Sequence, residues 1–174
     1  MIRFESSAAA APELEQLIAE TQAGASLLLV IAPPAPPEAW VRRSAVAIAD
    51  RAAALTPPNL LGVGADRKLH EELGVENYEG IADVFLFGAS LKHVMLPVGD
   101  HRFLFVGAGA AAEFGTILSD PKWRRLLNDA QGSGHFVIVL ADAEMPGLDH
   151  IAARVGAVVG LSTAEDARID GVRL

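Results

Sequence analysis

Three stretches of the chain carry residues whose types and spacing could do chemistry, and each follows a short apolar run. The first is "IAPPAPPEAWVRRSAVAIAD", residues 31–50. An apolar run ends at Ile31 and an amphipathic one follows, the place where an α/β protein holds a nucleotide phosphate. Such a loop uses glycines, so that backbone N–H groups can close on the anion, and usually a lysine before Ser or Thr. Here the turn holds four prolines, a tryptophan and two arginines, and no glycine. Each proline removes an N–H, and Trp40 adds bulk where a close backbone approach is required. Arg42, Arg43 and Ser44 keep donors that can hold a phosphate through side chains. The alternative is a proline-stiffened turn with a solvated arginine pair.

The second stretch is "GVGADRKLHEELG", 62–74, where Asp66 stands at the place of a catalytic or magnesium-binding carboxylate. It serves equally as the N-cap of a short helix. The third is "VIVLADAE", 137–144. A nucleotide hydrolase places a magnesium-positioning Asp at the end of such a strand. Asp142 is near, but the matching position holds Leu140, and a solvated loop carboxylate is the other reading of Asp142. "GAGAAAEFG" (107–115) resembles a glycine loop only as far as Gly and Ala are abundant there. The five histidines, His70, His93, His101, His135 and His150, show no metal-ligand spacing, and cysteine is absent. No metal site, Ser-His-Asp arrangement or carboxylate pair follows from spacing.

Two further clusters suit contacts rather than chemistry. Pro36, Pro37 and Trp40 would form a stiff apolar surface beside the first stretch. Trp123, Arg124 and Arg125 would form a basic contact patch, or else belong to a helix that buries Trp123 and Leu126 and leaves the arginines outside.

These residues need a scaffold. At 174 residues the chain fits one domain. It is 51% hydrophobic but only 6% aromatic, so its core must be mainly Ala, Val, Leu and Ile, as suits helices on a parallel sheet. The net charge of −8 argues against phosphate-backbone binding to nucleic acid. No apolar run reaches the roughly 18–20 residues that span a bilayer, and no signal peptide opens the chain.

Apolar runs at 25–32, 59–65, 135–143 and 156–161 predict buried strands. Helical spacing falls at 12–22, 37–55, 66–74, 80–91 (interrupted by Gly88), 111–120 and 121–134, with a shorter helix before the last strand. Asp120 and Pro121 are placed as cap and first-turn residues of the 121–134 helix. "HVMLPVG" and "RFLFVGAG" predict a pair of short strands. Strands separated by helices of this length imply βαβ units and a doubly wound, mainly parallel sheet with helices on both faces.

The chain resembles the cytoplasmic domain of bacterial tyrosine kinases and their MinD/ParA-like relatives among the deviant P-loop ATPases. The likeness runs over most of residues 12–162. "LHEELGVENYEGIADVFLFGASLKHVM" is similar to a family segment of the form L-H-x-x-L-G followed by G-[LI]-x-[DE]-x-L-x-G. "TILSDPKWRRLL" is similar to E-L-L-x-S-x-x-[FM]-x-x-L-L. Carried onto this chain, the family's G-x-G-K-[ST] turn falls on Trp40 to Ser44, where only Ser44 is retained and Arg43 replaces the lysine. Its D-x-D motif falls on Gly64, Ala65 and Asp66, and its Walker B aspartate on Leu140. Its E-x-x-R-x-x-R assembly motif becomes Glu13, Gln16 and Ala19. Its C-terminal tyrosine cluster has no counterpart, Tyr78 being the only tyrosine, and the chain stops short of the family's last helix and strand.

The resemblance thus implies a degenerate P-loop fold that has lost its phosphate loop. Phosphoryl transfer depends on positioning and charge stabilisation, so losing the glycines, the lysine and the carboxylate together removes turnover. The implied function is a catalytically inactive kinase- or ATPase-like scaffold in bacterial exopolysaccharide synthesis or export, without cofactor. The implied partner is the cytoplasmic part of a membrane polysaccharide co-polymerase or an ATPase paralogue, with homo-oligomerisation as a further option. The implied location is cytoplasmic, at the inner membrane through that partner. Two alternatives stand: a divergent ATPase or kinase using ATP and magnesium, and a positioning module of the MinD/ParA type.

Overall fold

The computed structural model describes residues 2–4, 12–24, 27–32, 39–54, 58–62, 68–109 and 117–161. In chain order the elements are β1 (Ile2–Phe4), α1 (Pro12–Gly24), β2 (Leu27–Ala32), α2 (Ala39–Ala53) and β3 (Pro58–Gly62). There follow α3 (Leu69–Glu72), α4 (Ile81–Leu86), α5 (Leu91–Val94), β4 (Leu96–Pro97) and β5 (Leu104–Val106). The last four are α6 (Lys122–Gly132), β6 (Phe136–Asp142), α7 (Leu148–Ala152) and β7 (Ala157–Leu161). The fold is mixed α/β.

Among the described residues the strands run β1-β7-β2-β6-β3-β5-β4 across one sheet. The apolar run of β6 sits mid-sheet, parallel to β2 on one side and β3 on the other. β7 is parallel to β2 and β1, and β5 to β3. The short β4 pairs antiparallel with β5, as "HVMLPVG" and "RFLFVGAG" predict.

Side chains alternate across a strand, so β6 supplies two cores. Val137, Val139 and Ala141 join one apolar cluster with Phe85 of α4, Trp123 of α6 and Ile151 of α7. Phe136, Ile138 and Leu140 join the other with Ile18 of α1, Ala45 and Ile48 of α2, and Leu69 of α3. α2 buries Val41, Ala45, Ile48 and Ala52, the stripe its helical spacing predicts. Leu55, the next residue of that stripe, lies outside the described residues.

Several boundaries differ from expectation. The segment over 80–91 is broken at Gly88 as its sequence predicts, since Gly88 takes φ +75°, a left-handed conformation that ends α4, but the second helix starts only at Leu91. The helix expected over 66–74 is the single turn Leu69–Glu72. Residues 117–120, expected as the end of a helix, form a turn. There the Ile117 carbonyl accepts the Asp120 N–H at 3.1 Å and the Trp123 indole N–H at 2.7 Å. The rest of 111–120 lies outside the described residues, apart from these four. α6 opens as its sequence predicts, with the Asp120 carboxylate accepting the Lys122 N–H at 2.7 Å. No described helix is long and apolar enough to cross a membrane.

Candidate functional site

The register of the sheet brings the strand ends of all three stretches together. Ala32, the last residue of β2, aligns with Asp142, the last of β6. Gly62, the last of β3, aligns with Leu140. The exits of three neighbouring parallel strands thus share one end of the sheet, where ligands bind in open α/β folds. Asp142 is half-buried there, and its carbonyl accepts the Met145 N–H at 3.1 Å. Leu140 is fully buried, at 0% exposure.

Trp40, Arg42, Arg43 and Ser44 all lie within α2, which begins at Ala39. The burial of Val41 and Ala45 fixes how the helix is turned. Arg43 is consequently exposed, while Arg42 and Ser44 are half-buried. Arg42 is engaged: its Nε donates to Glu72 of α3 at 3.3 Å. That carboxylate occupies one edge of the guanidinium that a phosphate would need. Trp40 is half-buried and packs against the cluster that holds Val41 and Leu140. It therefore folds back on its own core at least in part. Pro36, Pro37 and Asp66 lie outside the described residues.

The second contact cluster is corrected by the structure. Trp123 is not a surface residue: it is 1% exposed, donates to the Ile117 carbonyl, and packs on Phe85 with ring centroids 5.0 Å apart. Leu126 is buried with it, and Arg124 and Arg125 are exposed. This is the helix that turns its tryptophan inward. Arg125 pairs with Asp129 at 3.7 Å, one turn along.

Sequence reasoning missed a knot beyond the end of β5. The Asn77 side-chain oxygen accepts the Gly109 N–H at 3.0 Å. The Ile81 N–H donates to the Gly107 carbonyl at 2.9 Å, and the Ala82 N–H to Ala108 at 3.2 Å. Gly80 and Asp83 bond reciprocally: the Asp83 N–H reaches the Gly80 carbonyl at 3.0 Å, and the Gly80 N–H reaches the Asp83 carboxylate at 2.8 Å. A Cβ on Gly80 would collide with the backbone of Gly107 and Gly109. The glycines of "GAGAAAEFG" that the structure describes thus serve loop-to-loop packing, and Gly109 takes φ +84° to do so. The signal was present in the paired "NYEG" and "GAG" strings, but only a tertiary contact joins them. Among the described residues no group of three or more His, Asp or Glu is placed to hold a metal ion.

The sequence matches no protein-family model and no curated protein. Solved structures do match. The kinase domain of VpsO superposes with a TM-score of 0.72 at 18% identity, over 94% of this chain and 81% of that one. The chimerical protein CapA2B2 gives 0.65 at 14% identity, with the same coverage of 94% and 81%. The kinase domain of the Escherichia coli tyrosine kinase ETK gives 0.64 at 18% identity, over 93% and 69%. The chain shares the fold of bacterial tyrosine kinase domains. At these identities the likeness concerns the fold, and the residues at the strand exits must speak for function themselves.

Proposed function

We propose that this chain is a catalytically inactive, kinase-fold scaffold or regulatory protein of bacterial exopolysaccharide synthesis or export. One observation carries the inactivity: Leu140, at the position of the family's Walker B aspartate, is fully buried on the mid-sheet strand β6. A magnesium-positioning carboxylate has no place there. The glycine-free entry to α2 supports the same reading, as does Arg42, whose guanidinium is held by Glu72. We read the chain as one domain, 1–174, built on a doubly wound, mainly parallel sheet with helices on both faces. The pathway follows the sequence resemblance. So does the partner, the cytoplasmic part of a polysaccharide co-polymerase or an ATPase paralogue, and with it a location at the inner membrane.

Calorimetric titration with ATP and GTP, with and without magnesium, tests the inactivity. We expect no binding tighter than about 1 mM, equivalent to about 4 kcal/mol. Micromolar, magnesium-dependent binding would instead favour a divergent nucleotide hydrolase, a reading that draws on Asp142 at the β6 exit. Capture of the cytoplasmic part of a polysaccharide co-polymerase, against a division protein as control, tests the pathway.

A further inference from the structure

We propose that Tyr78 is a phosphorylation acceptor for a tyrosine kinase that acts on this chain in trans. Tyr78 is the sole tyrosine and is 74% exposed; Phe87 is as exposed, at 75%, but carries no hydroxyl, and Phe85, Phe103, Phe105, Phe136 and Trp123 are buried. It is presented by its anchors. On one side the Asn77 side chain is bonded to Gly109. On the other, Gly80 is wedged against Gly107 and Gly109, and Ile81 is bonded to Gly107. In the bend between these pins the aromatic ring stands exposed. Within it, the N–H groups of Glu76, Asn77, Tyr78 and Glu79 donate to no backbone carbonyl among the described residues. A kinase that docks its substrate partly through main-chain donors finds those groups unbonded to other backbone. Glu76 and Glu79 flank the tyrosine and are exposed, Glu79 held by His93 at 2.9 Å. A cleft that neutralises a nucleoside triphosphate is electropositive, so acidic flanks favour docking there.

In the step itself the Tyr78 phenolic oxygen attacks the γ-phosphorus of ATP held by the kinase. The new O–P bond forms as the bond to the β–γ bridging oxygen breaks. ADP leaves, and the phenolic proton passes to the kinase's base. The product adds about −1.5 to −2 charge beside two carboxylates without touching the core. It creates an anionic epitope suited to an arginine-bearing partner.

The proposal rests on the reading of this chain as the inactive partner of a true kinase, and one experiment separates the two. The full chain is incubated with magnesium and ATP, alone and with the VpsO or ETK kinase domain. Each kinase is verified in the same reaction by its own phosphotyrosine. Intact mass and phosphotyrosine detection then read this chain, whose single tyrosine makes assignment direct. We expect phosphotyrosine only with added kinase, none in Tyr78→Phe, and several-fold slower labelling in the Glu76→Gln, Glu79→Gln double variant. Active kinases that leave the chain unmodified would overturn the proposal and leave the inactivity reading intact. Label that persists in Tyr78→Phe would also overturn it. Tyrosine label in the chain incubated alone would uphold Tyr78 as acceptor and overturn the inactivity.

Discussion

Placing an aspartate at position 140 gives the most direct test of whether this strand position can hold a carboxylate. Leu140→Asp places a carboxyl at 0% exposure, in register with Gly62 on one neighbouring strand and Val30 on the other. Removing the leucine forfeits about 1.5–3 kcal/mol of burial, and an unpartnered polar group adds about 1–3 kcal/mol. The sum, about 3–6 kcal/mol, is a large part of the roughly 5–15 kcal/mol of a typical domain. Burial also disfavours the charged form, so the introduced carboxyl titrates in the folded state above its unfolded value of about 3.9. The variant should therefore match its neutral analogue Leu140→Asn in acid, and fall below it as pH rises through that raised value. Urea unfolding followed by circular dichroism measures both, with Leu140→Ala as the cavity control at about 2–5 kcal/mol. A Leu140→Asp protein within 1 kcal/mol (about fivefold in the folding equilibrium) of the parent would refute the reasoning. The position would then accept a carboxylate, and the burial of Leu140 would no longer support the proposed inactivity.

Four more outcomes are expected. Trp123→Phe keeps the aromatic contact with Phe85 but loses the indole bond to Ile117, and should cost about 1–3 kcal/mol in chemical denaturation. Gly80→Ala forces its methyl onto the backbone of Gly107 and Gly109, and should lower stability by at least about 2 kcal/mol. Gly132→Ala, with nothing within 4 Å of the added carbon at the end of α6, should gain about 0.4–1 kcal/mol in the same assay. Asp83→Ala frees the Gly80 N–H, and faster hydrogen exchange should appear at Gly80 and Ile81 before it appears in β6.

The parts of the fold legible in sequence were those that a local pattern specifies. The β6 run is apolar without interruption, the α2 stripe repeats at helical spacing, and Asp120 and Pro121 mark the start of α6. β1 was invisible because three residues carry no period, and Ile2–Phe4 become a strand only by pairing with β7. Trp123 was ambiguous because periodicity places it on a helix face without saying which face meets the core. The knot of Asn77, Gly80, Asp83, Gly107 and Gly109 was beyond reach for a related reason. Each half is an ordinary loop string, and its meaning lies in bonds to a segment some thirty residues away. At the candidate site, the glycine-free turn and Leu140 could be read directly. The engagement of Arg42 by Glu72 could not, since it depends on where α3 comes to rest.

The strand order also sets a timetable for the growing chain. β2 is flanked by β6 and β7, so neither neighbour exists until residues 136–161 are made. At about 5–20 residues per second, Leu27–Ala32 waits roughly 5–20 s with both edges unpaired. The hexapeptide "LLLVIA" has no charge, no proline and strong β propensity, the composition of an aggregation-prone window. Directly after it stand Pro33, Pro34, Pro36 and Pro37. Prolines in that position act as gatekeepers: they bar the segment from extending into a longer cross-strand stack while it waits. The proline-rich segment is thereby suited to guarding the nascent strand that precedes it.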